Sequence, residues 1–215
     1  MVSGLEIILF SVVFALGWLA SRASSEELLL YWRPGWWVAP LGIIYSVAIR
    51  LALGFIVMVG GIVLVITRVF TPQTLQGFVD TNRPKVEALV SVSALEHSPS
   101  YFWLAVTLVS FVVAGLREEL WRAATLAAFR KLWPGAFASR RGEYFAIALI
   151  AVFFGAMHIT MGPIAAVLAT ILGVFLGIIM IFHRSIWPAV IAHGLFDATT
   201  FAILPWALEK IQDFR

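Results

Sequence analysis

The sequence predicts an all-α fold, a polytopic membrane helical bundle of about six transmembrane helices, seven at most. Three observations carry this. Of 215 residues, 61% are hydrophobic and 13% charged, with a mean hydropathy of +0.96; a soluble domain carries about 25% charged residues. Apolar runs recur at about the 20 residues that a helix needs to cross a bilayer. Basic residues gather in the short connections between runs, as positive-inside loops do. The net charge of +3 and pI of about 9.6 therefore reflect basic cytoplasmic loops, with no nucleic-acid partner expected. Cys is absent, which excludes disulfides, thiol nucleophiles and thiolate metal sites.

In chain order, Leu5 to Ala20 has signal-anchor length. Its only charge before Arg22 is Glu6, and without a basic leader it reads as a retained span. Ser21 to Trp36 is a polar connection ending in the turn Arg33-Pro34-Gly35, and Trp36-Trp37 reads as an interfacial anchor. Trp37 to Phe70 exceeds one crossing and is interrupted by Arg50, which either snorkels to the interface or pairs inside the bundle, with snorkelling the expectation. These N-terminal spans occupy 1–70. Residues 71–100 hold Asp80, Arg83, Lys85, Glu87 and His97 among apolar positions. They read as an extramembranous or interfacial loop with one or two amphipathic turns, a plain connector in preference to a lid, with His97 solvated. Tyr101 to Arg130 crosses and projects. Arg130, Lys131, Arg140 and Arg141 then form the best cytoplasmic marker. Further spans run from Tyr144 to His158, Pro163 to Phe182 and Ile186 to about Trp206. The whole, 1–215, reads as a single membrane domain without internal repeats.

Three polar constellations interrupt these apolar segments. Ionisable groups in or beside a span cost roughly 2.5–3.5 kcal/mol each at a helix centre, so they are rare and functional. The first is Arg117-Glu118-Glu119-Leu120-Trp121-Arg122. At about 100° per residue, Arg122 lies about 40° from Glu118 and about 60° from Glu119 around a helix, so it can pair with either. The second is Phe154-x-x-x-His158, one helical turn apart. The third is His193-x-x-x-Asp197, whose side chains share a face. Together they supply a general base for water and donors for an oxyanion. No His-Glu-x-x-His helix, Gly-x-Ser-Gly nucleophile, Gly-x-Gly-Asp element or Gly-rich phosphate loop is present.

Glu118-Glu119…Arg122, Phe154-x-x-x-His158 and His193-x-x-x-Asp197, in that order on separate apolar segments, resemble the CPBP family of CAAX prenyl endopeptidases and bacteriocin-processing or immunity ("Abi") membrane proteins. The resemblance covers roughly residues 101–205. It implies an intramembrane peptidase that works by glutamate-activated water, without a cofactor, on a membrane-associated peptide or protein substrate. By position, Glu118 is the base and His158 helps to hold the water. Glu119 and Arg122 are the supporting pair, and Phe154 packs the histidine helix. His193 and Asp197 serve the oxyanion, with Asp197 expected to orient His193. The family places three residues between its second Glu and the Arg, and this chain has two, Leu120 and Trp121. Aligned instead on Trp121-Arg122, Glu118 takes the second-glutamate place and Arg117 falls on the catalytic one. Glu119 would then be the free carboxylate, or the protein a silent member. The expected location is a multi-pass position in a bacterial inner (plasma) membrane. The alternatives are a catalytically silent scaffold or immunity-type protein, a metal-dependent hydrolase in which Zn²⁺ takes His158, His193 and a carboxylate, and a proton-coupled transporter.

Overall fold

In the computed structural model, which describes residues 4–213, no strand occurs among the described residues. Helix α1 spans Gly4–Ser21 and α2 Val38–Ile66. Two shorter helices follow, α3 at Pro72–Asn82 and α4 at Val92–His97. Next comes one continuous rod. It comprises α5 (Pro99–Leu104), a π-helical stretch (Ala105–Leu116) and α6 (Arg117–Leu132). The short α7 (Pro134–Phe137) leads to α8 (Arg140–Met157), α9 (Pro163–His183) and α10 (Trp187–Asp213).

Among the described residues, four stretches are long and apolar enough to cross a membrane: Gly35–Ile66, Pro99–Leu132, Pro163–His183 and Trp187–Lys210. The protein is an integral membrane protein. The expected six or seven spans exceed this count. The described apolar part of α1 covers only Ile8–Leu19, and α8 opens on Arg140, Arg141 and Glu143.

Sequence periodicity accounts for what each helix buries. On α2, Gly42, Ser46, Ile49 and Leu53 are buried, while Ile43, Val47, Leu51 and Phe55 form an exposed stripe at four-residue spacing. Such a two-faced, wholly apolar helix has one side for the bundle and one for lipid. The core joins Leu126 of α6, Ile147 and Ile150 of α8, Leu176 and Met180 of α9, and Ala189 and Ala192 of α10. α8 packs along α9, and α10 packs along both the π-helical stretch and α2. Backbones approach closely there: a Cβ on Gly115 would lie 2.9 Å from the Val190 carbonyl. Small residues permit this in membrane bundles, where close packing replaces hydrophobic drive.

The connection at residues 22–34 is more than the polar linker that its composition predicts. Leu28 and Leu29 are buried. The Leu29 carbonyl accepts from the Ile186 N–H at 2.9 Å, Leu30 accepts from Trp187 Nε1 at 2.8 Å, and Tyr31 accepts from Ser185 Oγ at 2.8 Å. The loop therefore caps the α9–α10 turn. That turn starts at Arg184, whose left-handed backbone (φ 50°) ends α9.

Candidate active site

α6 begins where the π-helical stretch ends, and its first turn carries Glu118 and Glu119. Neighbouring helix positions diverge by about 100°, so the two carboxylates face different surroundings. Glu119 points into the core with no exposure and pairs with Arg122, which is equally buried. The Arg122 guanidinium also sits 4.9 Å from the centroid of the Phe154 ring. Glu118 is 21% exposed, with Oε1 3.3 Å from Arg117 Nη2. It lines a cavity of about 560 Å³ between α6, α8, α9 and α10.

α10 brings His193 to the glutamates. Its Nδ1 lies 3.1 Å from Glu119 Oε1. A carboxylate only accepts, so Nδ1 carries the proton and donates. This leaves Nε2 directed at the cavity, 3.8 Å from Glu118 Oε2 and 4.0 Å from Asp197 Oδ2. The expectation that Asp197 orients His193 is corrected. At 4.0 Å, Asp197 is beyond hydrogen-bond reach, and Glu119, arriving from another helix, holds the ring. The pairing that the sequence left open is also decided: Arg122 goes to Glu119, three residues away, and not to Glu118.

His158 caps α8, and its Nδ1–H donates to the Phe154 carbonyl at 2.8 Å. In the neutral ring, Nε2 is then the unprotonated, accepting nitrogen. His158 lines the same cavity as Glu118, His193 and Asp197. Phe154 does more than pack its own helix. Its ring is 4.6 Å from that of His158, 6.2 Å from that of His193 and stacked beneath Arg122, so one aromatic side chain positions three polar ones.

Two contributors differ from the favoured sequence expectation. Arg50 does not snorkel. It reaches across from α2 to donate to the Phe196 carbonyl and the Thr199 hydroxyl, with its guanidinium 4.3 Å from the Phe196 centroid. Thr199 and Thr200, two and three residues past Asp197 in an apolar helix, were the available signal. The second contributor is the segment 84–90, which supplies Pro84, Val86, Leu89 and Val90 to the cavity wall and so covers it, instead of merely connecting. Lys85 N–H donates to the Met161 carbonyl at 2.9 Å. Gly162, at φ 112°, makes the turn beneath Arg83 that most residues would strain to adopt. Arg83 and Glu87 pair at 2.5 Å, and this hydrogen bond from the guanidinium holds the Glu87 carboxyl below its ordinary value of 4.5. His97 is exposed, as expected.

Among the described residues, no group of three or more His, Asp or Glu side chains is disposed to hold a metal ion. Glu119 is held by Arg122 and His193.

Residues 99–199, just under half of the chain, match the model of a family described as Rce1-like, Type II CAAX prenyl endopeptidase. The match takes in all three constellations and bears out the resemblance to the CAAX protease family. That family is one of proteases. No curated protein and no solved structure matches the chain.

Proposed function

We propose, with the Rce1-like segment of residues 99–199 as premise, that this protein is an intramembrane endopeptidase hydrolysing membrane-associated peptides with Glu118 as general base. One observation carries the proposal. Of the adjacent carboxylates, Glu118 alone opens onto the cavity, with His158, His193 and Asp197 around it, while Glu119 is buried on Arg122.

Glu118 takes a proton from water as the water oxygen bonds to the scissile carbonyl carbon. His158, accepting through Nε2, helps to hold that water. The carbonyl oxygen becomes an oxyanion between His193 and Asp197. His193 can donate from Nε2 only as the imidazolium, a charge that Glu118, Glu119 and Asp197 surround. Asp197 can donate only when protonated, because an ionised carboxylate would repel the oxyanion. As the C–N bond breaks, Glu118 returns its proton to the departing amine, leaving a carboxyl product. Donors held in place before the reaction need no reorganisation during it. The apolar wall fits a lipid-proximal peptide.

The test is cleavage of a membrane-peptide library by purified protein, as wild type and Glu118→Gln, with and without a strong chelator. Removal of a general base is expected to slow cleavage by about 10²–10⁴-fold, and the wild type should ignore the chelator. A Glu118→Gln protein cleaving at the wild-type rate overturns the assignment, and loss of activity with chelator replaces it with a metal-dependent hydrolase.

A further inference from the structure

A second polar site lies at the other end of the bundle and plays no part in the peptidase reading. α8 opens at Arg140, with the Ser139 hydroxyl accepting from the Gly142 N–H at 3.1 Å. α9 closes at Arg184. Between them is a cleft of about 160 Å³ lined by Arg140, Glu143, Tyr144, Ile181, Phe182 and Arg184. We propose that this cleft binds the phosphate headgroup of an anionic phospholipid.

Charge is the first argument. Glu143 is 6% exposed, and its Oε1 lies 2.5 Å from Arg130 Nη2 and 2.7 Å from Arg184 Nη1. The cleft lining carries two arginines, Arg140 and Arg184, against one carboxylate, Glu143, a net charge of 2 − 1 = +1, and Arg130 pairs with Glu143 from beside it. Glu143 does not cancel the site. Its charge is held by two guanidiniums, and Arg184, 47% exposed, keeps part of its donor fork beyond that pairing. A guanidinium fork matches phosphate oxygens. The first-turn N–H groups of the 18-residue α8 add a partial positive charge on the same side.

Size and setting are the second argument. At about 160 Å³ the cleft has room for a phosphate group. It sits at the end of a membrane-crossing helix, α9, where headgroups lie. Phe182 and Phe145, 65% and 58% exposed, continue from its rim as apolar surface along the two helices. An anionic head with acyl chains satisfies both parts, whereas a free phosphate would use only the cleft. Basic pockets between membrane helices recognise lipid headgroups in this way.

The test is native mass spectrometry of the full-length protein after exchange into detergent containing an equal mixture of phosphatidylglycerol and phosphatidylcholine. Wild type should retain phosphatidylglycerol preferentially. Arg140→Gln leaves the Glu143 pairs with Arg130 and Arg184 in place, so it should fold. It is expected to lower that retention about fivefold, the ratio that corresponds to about 1 kcal/mol per basic residue near an anionic surface. Arg141→Gln, outside the cleft at the same end, should retain lipid as wild type does. Equal retention of the two lipids, an unchanged Arg140→Gln, or an equal loss in Arg141→Gln overturns the proposal. Full displacement by millimolar inorganic phosphate overturns it in favour of a soluble phosphate ligand.

Discussion

Glu119→Gln should damage the fold far more than Glu118→Gln, although the two residues are neighbours in one helix turn. Glu119 and Arg122 have no exposed side-chain surface, and Glu119 also receives His193 Nδ1 at 3.1 Å. Neutralising Glu119 leaves the Arg122 guanidinium buried without a counter-charge. Breaking a buried pair from one side costs about 3–5 kcal/mol. At roughly 2–4 °C per kcal/mol for a chain of this size, the melting temperature should fall by about 6–20 °C. Glu118 and Arg117 are 21% and 28% exposed and 3.3 Å apart, so Glu118→Gln should cost no more than about 1 kcal/mol. Thermal unfolding in detergent, followed by tryptophan fluorescence, reads the difference. A second arm tests the cause: the double variant Glu119→Leu/Arg122→Met removes both charges and should recover most of the loss, since an apolar replacement of a buried pair is often neutral. Equal melting temperatures for Glu118→Gln and Glu119→Gln would refute the reasoning. So would a Glu119→Gln protein that stays fully stable yet loses cleavage, because that outcome makes Glu119 the working carboxylate.

Arg50→Met should lower stability by about 1.5–3 kcal/mol, the worth of charge-assisted hydrogen bonds, through loss of its bonds to Phe196 and Thr199; a snorkelling Arg50 would tolerate the change, and unfolding of the variant in detergent decides. The segment covering the cavity should loosen in acid. Because the Glu87 carboxyl is lowered in the folded state, the Arg83–Glu87 pair contributes fully above the unfolded carboxyl value of 4.5 and is lost as pH falls through the folded value. The effect is of order 0.3–0.5 kcal/mol for such an i,i+4 pair. Hydrogen exchange at residues 83–90 should therefore quicken below about pH 4.5 relative to the rest of the chain, and Glu87→Gln should be fast at every pH; protection that does not change with pH would contradict this.

Composition and run length determined by themselves that this is a helical membrane protein, and spacing alone assembled the three polar constellations. Burying ionisable groups among apolar runs is costly, so Glu118, Glu119, His158, His193 and Asp197 stood out without any contact information. The bounds of the long apolar helices were legible for the same reason. Contacts between residues distant in the chain were not. Whether Arg122 takes Glu118 or Glu119 depends on which side of α6 meets α8 and α10, and both choices are allowed on an isolated helix. His193 is oriented by a carboxylate 74 positions away, while its neighbour on the same helix face, Asp197, stands 4.0 Å off; local periodicity favours the near partner because it carries no term for the far one. Arg50 looked like a snorkelling residue because its acceptors, a carbonyl and a hydroxyl 146 and 149 positions on, exist for it only once α2 lies against α10. The pattern of costly residues thus says where chemistry can occur, and helix packing decides which atoms face each other, because pair energies depend on distances that only the folded bundle defines.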